Sequence, residues 1–277
     1  MKRKIIIFTD LDGSILDKNT HSLNSILPFF KRVVDSSIVI FNSSKTFLEI
    51  HKLSTELNLK FPFIVENGSA IIIPKSSSLI LPKERNIMDN NYKKIKLGTT
   101  IKEISEFINS EVAYKFIKNC RFLNSMNNNE IMALTNLSEE SIINSKKREY
   151  SFPFLWNGGQ KCYEEFKQLA QSKNYLIVRG GQFYHISGNV NKGKAMDILI
   201  NIYLNHMKDT KLISVAIGDS DNDLEMLNKA NYAGIIKSGR KNQLKLEKNK
   251  NVYYSKYIAP LGWQEVLNNM SLFKLKK

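Results

Sequence analysis

The chain has 277 residues, with 41 Lys and Arg against 26 Asp and Glu, a formal charge of +15, and 42% hydrophobic and 10% aromatic residues. That balance excludes a disordered chain, a peptide toxin and a collagen-like fibre, and the length suits two moderate domains with a core in each. Cys120 and Cys162 stand far apart in no disulfide or zinc pattern, and no run approaches the ~20 apolar residues that would cross a bilayer; the chain reads as soluble and cytoplasmic, with no membrane partner.

In chain order, Lys4 to Thr9 is a short apolar run that meets acidic residues, Leu23 to Val34 has helical spacing, and Ser37 to Phe41 is a β-branched run. A helix is predicted from Thr46 to Asn58, a strand from Phe63 to Val65, and a hairpin return from Ala70 to Ile73 after Gly68. Strand–helix–strand order predicts a parallel sheet with helices on its faces. The middle has a different texture: a strand at Leu97, a helix over Ile101 to Ile108, a strand or helix start over Glu130 to Leu134, a strand over Tyr150 to Leu155, a helix over Tyr163 to Ser172, and a hairpin from Tyr175 to Arg179 and Phe183 to Ser187. The first grammar then returns, with a helix over Lys194 to Asn205, a strand over Leu212 to Ile217, a helix over Asp223 to Ala230 and a strand over Ala233 to Ile236. The fold class is therefore α/β: a doubly wound, Rossmann-like parallel-sheet core, residues 1–84 and 188–277, with an inserted α+β cap at 85–187 and hinges near 82–91 and 187–190.

The excess lysines are scattered among Asn and Ser, with mild clusters at Lys146-Lys147-Arg148 and Lys245 to Lys250, and no aromatics are interleaved. This describes a solvated surface whose field favours small anions better than it describes a nucleic-acid face.

Phe8-Thr9-Asp10-Leu11-Asp12-Gly13-Ser14 delivers two carboxylates to the carboxyl end of a strand, where ligands of open α/β sheets bind. A solvated acidic turn would read the same in isolation. A second apolar strand, however, ends in Gly218-Asp219-Ser220-Asp221-Asn222-Asp223, and one parallel sheet carrying both would bring Asp219 and Asp223 beside Asp10. Carboxylates repel unless a cation lies between them, so a hard divalent ion, Mg²⁺, is expected on Asp10, Asp12, Asp219 and Asp223.

These two motifs resemble motifs I and IV of the haloacid dehalogenase superfamily, with Ser14 where Thr is usual. Within it, Ile38 to Ser43 resembles motif II, which implies that Ser43 contacts the phosphoryl group. Asn191-Lys192-Gly193-Lys194-Ala195 resembles motif III, which implies a cationic role for Lys192, with Lys194 its near rival. The resemblance implies that Asp10 is the nucleophile and Asp12 the acid and base. An insertion between motifs II and III is similar to the cap of Cof-type (subclass IIB) sugar phosphatases.

Ser43-Ser44-Lys45-Thr46, Val65-Glu66-Asn67-Gly68, Arg148-Glu149-Tyr150-Ser151, Arg179 to His185 and Gly262-Trp263 are similar to the mannosyl-3-phosphoglycerate phosphatases and their glucosyl relatives, although Phe152 precedes Pro153 where Glu is usual. That resemblance implies a phosphorylated sugar–glycerate substrate held by Ser44, Lys45, Asn67, Arg148, Glu149, Arg179 and His185. Each of these has a plainer reading as a turn, a strand residue or a structural ion pair. The rival functions are a sucrose-phosphate or hexose-phosphate phosphatase on the same core, and a non-catalytic basic protein that binds anions or nucleic acid.

Overall fold

Alternate residues of the first apolar run serve opposite faces of one sheet. In β1 (Lys2–Thr9), Ile7 joins a cluster with Val215, Phe30 and Trp263, whereas Ile6 and Phe8 join one with Ala216, Met196 and Leu199. A strand buried on both faces reads as continuous Ile-Ile-Ile-Phe for this reason. The computed structural model describes residues 2–80, 86–88, 91–239, 244–247 and 251–273.

β1 pairs in parallel with β2 (Ile38–Phe41) on one side and β11 (Thr210–Gly218) on the other, followed by β12 (Tyr232–Ile235) and β13 (Val252–Tyr254). Thr9 lies level with Phe41 and with Ile217, so Asp10, Asn42 and Gly218 leave the same edge together. Helices Leu27–Ser36 and Leu261–Asn269 cover one face, and Lys192–His206 and Leu224–Lys229 the other. This is the doubly wound α/β core.

Two antiparallel sheets complete the molecule. β3 (Phe63–Val65), β4 (Ala70–Pro74), β5 (Asn86–Met88) and β6 (Tyr92–Lys96) form one in the order β3-β4-β6-β5, and an Asn42–Ile64 bridge joins it to the core. β7 (Cys120–Phe122), β8 (Ser151–Trp156), β9 (Tyr175–Gly180) and β10 (Phe183–Gly188) form the other in the order β7-β8-β10-β9. Helices Ile101–Ile108, Glu111–Ile117 and Gln160–Ser172 form a core with the latter, in which Ile104, Phe116 and Phe166 of the helices meet Phe154 of β8. Part of the expected first hinge, Pro82 to Arg85 with Asp89 and Asn90, lies outside the described residues.

Local chemistry explains where elements depart from expectation. The helix expected from Leu23 begins at Leu27, because Pro28 suits only a first turn. Glu130 to Leu134 is helical, within Asn128–Thr135, and Asn127 and Glu130 form a reciprocal capping box at its start. β6 reads Tyr-Lys-Lys-Ile-Lys with only Ile95 buried, so it carries no apolar alternation to be read. Among the described residues no helix is long and apolar enough to cross a membrane.

Trp263 ties the C-terminal helix to the functional edge. It is wholly buried against Phe29 and Phe30, and its Nε1–H donates 3.1 Å to Thr9 Oγ1, next to Asp10. Trp263→Ala is expected to cost about 3–5 kcal/mol of unfolding free energy, measured by urea denaturation.

Candidate active site

The loop after β1 is shaped by Leu11, whose carbonyl accepts the N–H groups of Ser14, Ile15 and Leu16. Gly13 has a φ of +78°, and a Cβ there would stand 3.0 Å from Asp219 Oδ2. Only glycine therefore lets the two acidic loops close on each other. After β11, the Asp219 and Ser220 N–H groups each donate 3.0 Å to Asp223 Oδ2, which aims the other Asp223 oxygen inward.

Lys192 occupies that inward space. Its ammonium is fully buried and donates 2.6 Å to Asp10 Oδ1 and 2.7 Å to Asp223 Oδ1. The helix it begins is capped by Asn191, and its carbonyl accepts Asn42 Nδ2–H at 3.0 Å. Lys194, the rival cation, points away to Asn189 and is exposed. Ser43 is buried at the end of β2, its Oγ accepting from Lys45 N–H.

A cleft of about 220 Å³ opens above Asp10 and Asp12, walled on the far side by the inserted unit. Ser44, Lys45, Arg148 and His185 line it, and Ser44 O accepts 2.9 Å from Arg148 Nη1. Among the described residues, His185 Nδ1 and Arg148 Nε are buried without a hydrogen-bond partner, where buried polar atoms are ordinarily paired. Three expected residues stand apart from the wall. Glu149 is half exposed, pairs with Lys94 Nζ at 2.7 and 2.8 Å, and is not among the residues that line the cleft. Arg179 lies over the Tyr184 ring, and it is the following residues, Gly180 to Phe183, that reach the cleft. Asn67 is buried behind Asn222, whose Nδ2 donates to Asn67 Oδ1 at 2.9 Å.

A family model described as haloacid dehalogenase-like hydrolase matches residues 7–249. The chain belongs to the haloacid dehalogenase-like hydrolases. It is 30% identical over 263 residues to the glucosyl-3-phosphoglycerate/mannosyl-3-phosphoglycerate phosphatase of Persephonella marina, covering 94% of this chain and 95% of that one. It is 31% identical over 234 residues to the mannosyl-3-phosphoglycerate phosphatase of Pyrococcus furiosus, covering 83% and 90%. A haloacid dehalogenase-like hydrolase from B. subtilis has the same fold, with a TM-score of 0.64 at 16% identity over 99% of this chain and 100% of that one.

In this haloacid dehalogenase-like centre, oxygens of Asp10, Asp219 and Asp223 lie within 4.8 Å of one another. Three carboxylates facing one ammonium leave two formal negative charges, the match for a hard dication with oxygen ligands. Burial pushes Asp10 up to about 6 against the pull of Lys192, as Asp223 pushes it further up; a cation on the cluster would return it to the carboxylate. The Asp12 side chain, expected as a fourth ligand, lies outside this group because Lys45 and His21 draw it away. Lys45 Nζ stands 2.8 Å from Asp12 Oδ2, and His21 Nδ1 3.4 Å from Asp12 Oδ1. Against burial, which raises it, these two cations hold Asp12 far below the usual carboxylate range. Burial, with Arg148 and Lys192 nearby, keeps His185 neutral.

Sequence reading missed His21, Asn222 and the role of Glu66. Glu66, buried and with its carboxyl raised by burial against the pull of Arg148, accepts from Glu149 N–H, Tyr150 N–H and Ser151 Oγ–H at 2.9, 3.1 and 2.6 Å. It thereby moors the inserted unit to the core. A divalent cation at about 100 times its dissociation constant is expected to add about 2.7 kcal/mol to the unfolding free energy. Asp219→Asn, followed by thermal unfolding with and without the cation, should remove that increment.

Proposed function

We propose that this haloacid dehalogenase-like phosphatase hydrolyses the phosphomonoester of a mannosyl- or glucosyl-3-phosphoglycerate, releasing the glycosylglycerate and phosphate. The observation that carries the reading is Lys192 pinned between Asp10 and Asp223 beneath a cleft lined by Lys18 and Lys45 of the core and, on the far wall, by Arg148 and a neutral histidine. The relatives matched over nearly the whole chain carry that substrate in their names, and a formal charge of +15 draws an anionic ester toward the opening.

Asp10 attacks phosphorus in line through a carboxylate oxygen, forming an acyl-phosphate as the bond from phosphorus to the alcohol oxygen breaks. Because Lys45 and His21 keep the free Asp12 carboxyl ionised, Asp12 takes up the proton that arrives with the monoanionic ester and passes it to that departing oxygen. It then takes one from the water that attacks phosphorus and frees Asp10. Lys192 and the Ser43 hydroxyl hold the non-bridging oxygens in both steps. Asp10, Asp219 and Asp223 would hold Mg²⁺, which when bound neutralises charge on the phosphoryl group. A carboxylate nucleophile needs no activating base, so the centre requires neither Cys nor His as attacker.

Lys45, Arg148 and Lys18 line the cleft and suit a glycerate carboxylate, whereas Leu134, Leu137 and Phe183 present apolar surface to a sugar's C–H face. Ser44 and His185 are the remaining polar contacts we assign to the substrate, and Asn67 acts behind Asn222. We place the cap at 99–188 instead of beginning at 85, because residues 86–88 and 92–96 pair within the β4 sheet.

Phosphate release from mannosyl- and glucosyl-3-phosphoglycerate, sucrose phosphate and hexose 6-phosphates tests the reading. Selective turnover of a glycosyl-phosphoglycerate is expected, abolished by chelation and lowered more than about 10³-fold by Asp10→Asn. Turnover of hexose or sucrose phosphates alone would overturn the substrate and keep the chemistry. No hydrolysis of any ester, with salt-sensitive retention on DNA, would favour a binding protein.

A further inference from the structure

His21 touches both the catalytic floor and the cap. The loop that carries it is braced within the core: Asp17 Oδ1 accepts from Asn19 N–H, Thr20 N–H and Thr20 Oγ1–H, and Asp17 N–H donates 2.9 Å to Ser22 O. From that turn the imidazole sets Nδ1 at 3.4 Å from Asp12 Oδ1 and Nε2 at 3.0 Å from the Thr135 carbonyl. Thr135 ends the cap helix Asn128–Thr135. Last-turn carbonyls have no partner within their helix and draw donors to its negative end. A carbonyl and a carboxylate both only accept, so Nε2–H donates to Thr135 and Nδ1–H to Asp12, the two contacts together holding the ring as an imidazolium. The other Asp12 oxygen is held by Lys45, a core residue.

We propose that His21 is a positioning residue which makes the placement of Asp12 depend on the seating of the cap. Lys45 fixes one carboxylate oxygen at all times. The second is fixed only while the Thr135 carbonyl holds the imidazole from above. With the cap lifted, the ring loses its outer partner and Asp12 loses the contact that aims it at the leaving oxygen. Proton donation is thereby confined to the closed cleft, where bulk water is excluded. The inference rests on the phosphatase reading and on the acid role of Asp12 within it.

Two variants separate the ends of the bridge. In His21→Asn the side-chain amide stands near the place of Nδ1 and keeps the Asp12 end; in His21→Gln it stands near the place of Nε2 and keeps the Thr135 end. The readout is kcat/KM, which reports the steps through loss of the alcohol, for two esters: the sugar phosphate that the wild type turns over, whose alkoxide needs a proton, and p-nitrophenyl phosphate, whose leaving group does not. Each variant is expected to lose about 10- to 100-fold on the sugar ester, and less than about threefold on p-nitrophenyl phosphate, which also shows that the variant is folded. Equal losses on both esters, no loss on either, or full recovery of the sugar ester by one variant alone would overturn the coupling. A wild type that hydrolyses neither ester overturns the phosphatase reading itself, and with it this one.

Discussion

A fully buried ammonium, Lys192 Nζ, set between Asp10 and Asp223, is the contact on which the remaining arrangement depends. A lysine taken out of water is tolerated only with its charge answered at hydrogen-bond distance, and acids crowded together need a cation between them. Each partner arrives from a different element: Asp10 from β1, Asp223 from the turn after β11, Lys192 from the start of a helix on one face of the sheet. The parallel register that levels Thr9 with Ile217 is what lets them meet. Gly68 shows how close the fit is, since a Cβ there would lie 2.3 Å from the Asn191 carbonyl, one residue before Lys192. The β3–β4 turn can press on that helix start only without a side chain, and with φ at +96° the backbone favours glycine as well.

The acids lie on the floor, the cleft's cations are shared between Lys18 and Lys45 of the core and Arg148 of the wall, and specific contacts join floor to wall. Glu66 gathers the N–H groups of Glu149 and Tyr150 with the Ser151 hydroxyl, which brings Arg148 over the Ser44 carbonyl. At the hairpin, a Cβ on Gly180 would lie 3.3 Å from Asn222 Nδ2, so the cap meets the acidic turn through bare backbone. On the opposite side, Thr46 Oγ1 donates to Asn144 O and Lys52 pairs with Glu140. The exposed Lys52 pair contributes little to stability; the buried Glu66 contacts are the ones that would leave unpaired polar groups if broken.

The floor of the site was legible before the structure because strand-end acids follow a short-range pattern: an apolar run, two carboxylates, a glycine. Lys192 and Lys194 were rivals within one motif; the structure buries Lys192 between two carboxylates and leaves Lys194 exposed beside Asn189. The wall was harder. Glu149 and Arg179 looked like ligands by residue type, yet one pairs with Lys94 and the other lies on Tyr184. His21 and Glu66 were missed because their partners are backbone groups far along the chain, and a carbonyl or an N–H leaves no mark on sequence. The Asn127–Glu130 capping box was also present in the residues, but Glu130 to Leu134 stayed open between strand and helix until the structure showed the helix.

In the proposed reaction Asp10, beside Lys192, forms the covalent bond to phosphorus. Acid quenching during turnover, followed by peptide mass spectrometry, tests it most directly. A phosphoryl group is expected on the peptide containing Asp10, accumulating when Asp12→Asn slows its removal and absent in Asp10→Asn. A phosphoryl group on any other residue, or steady turnover with unlabelled enzyme throughout, would contradict it.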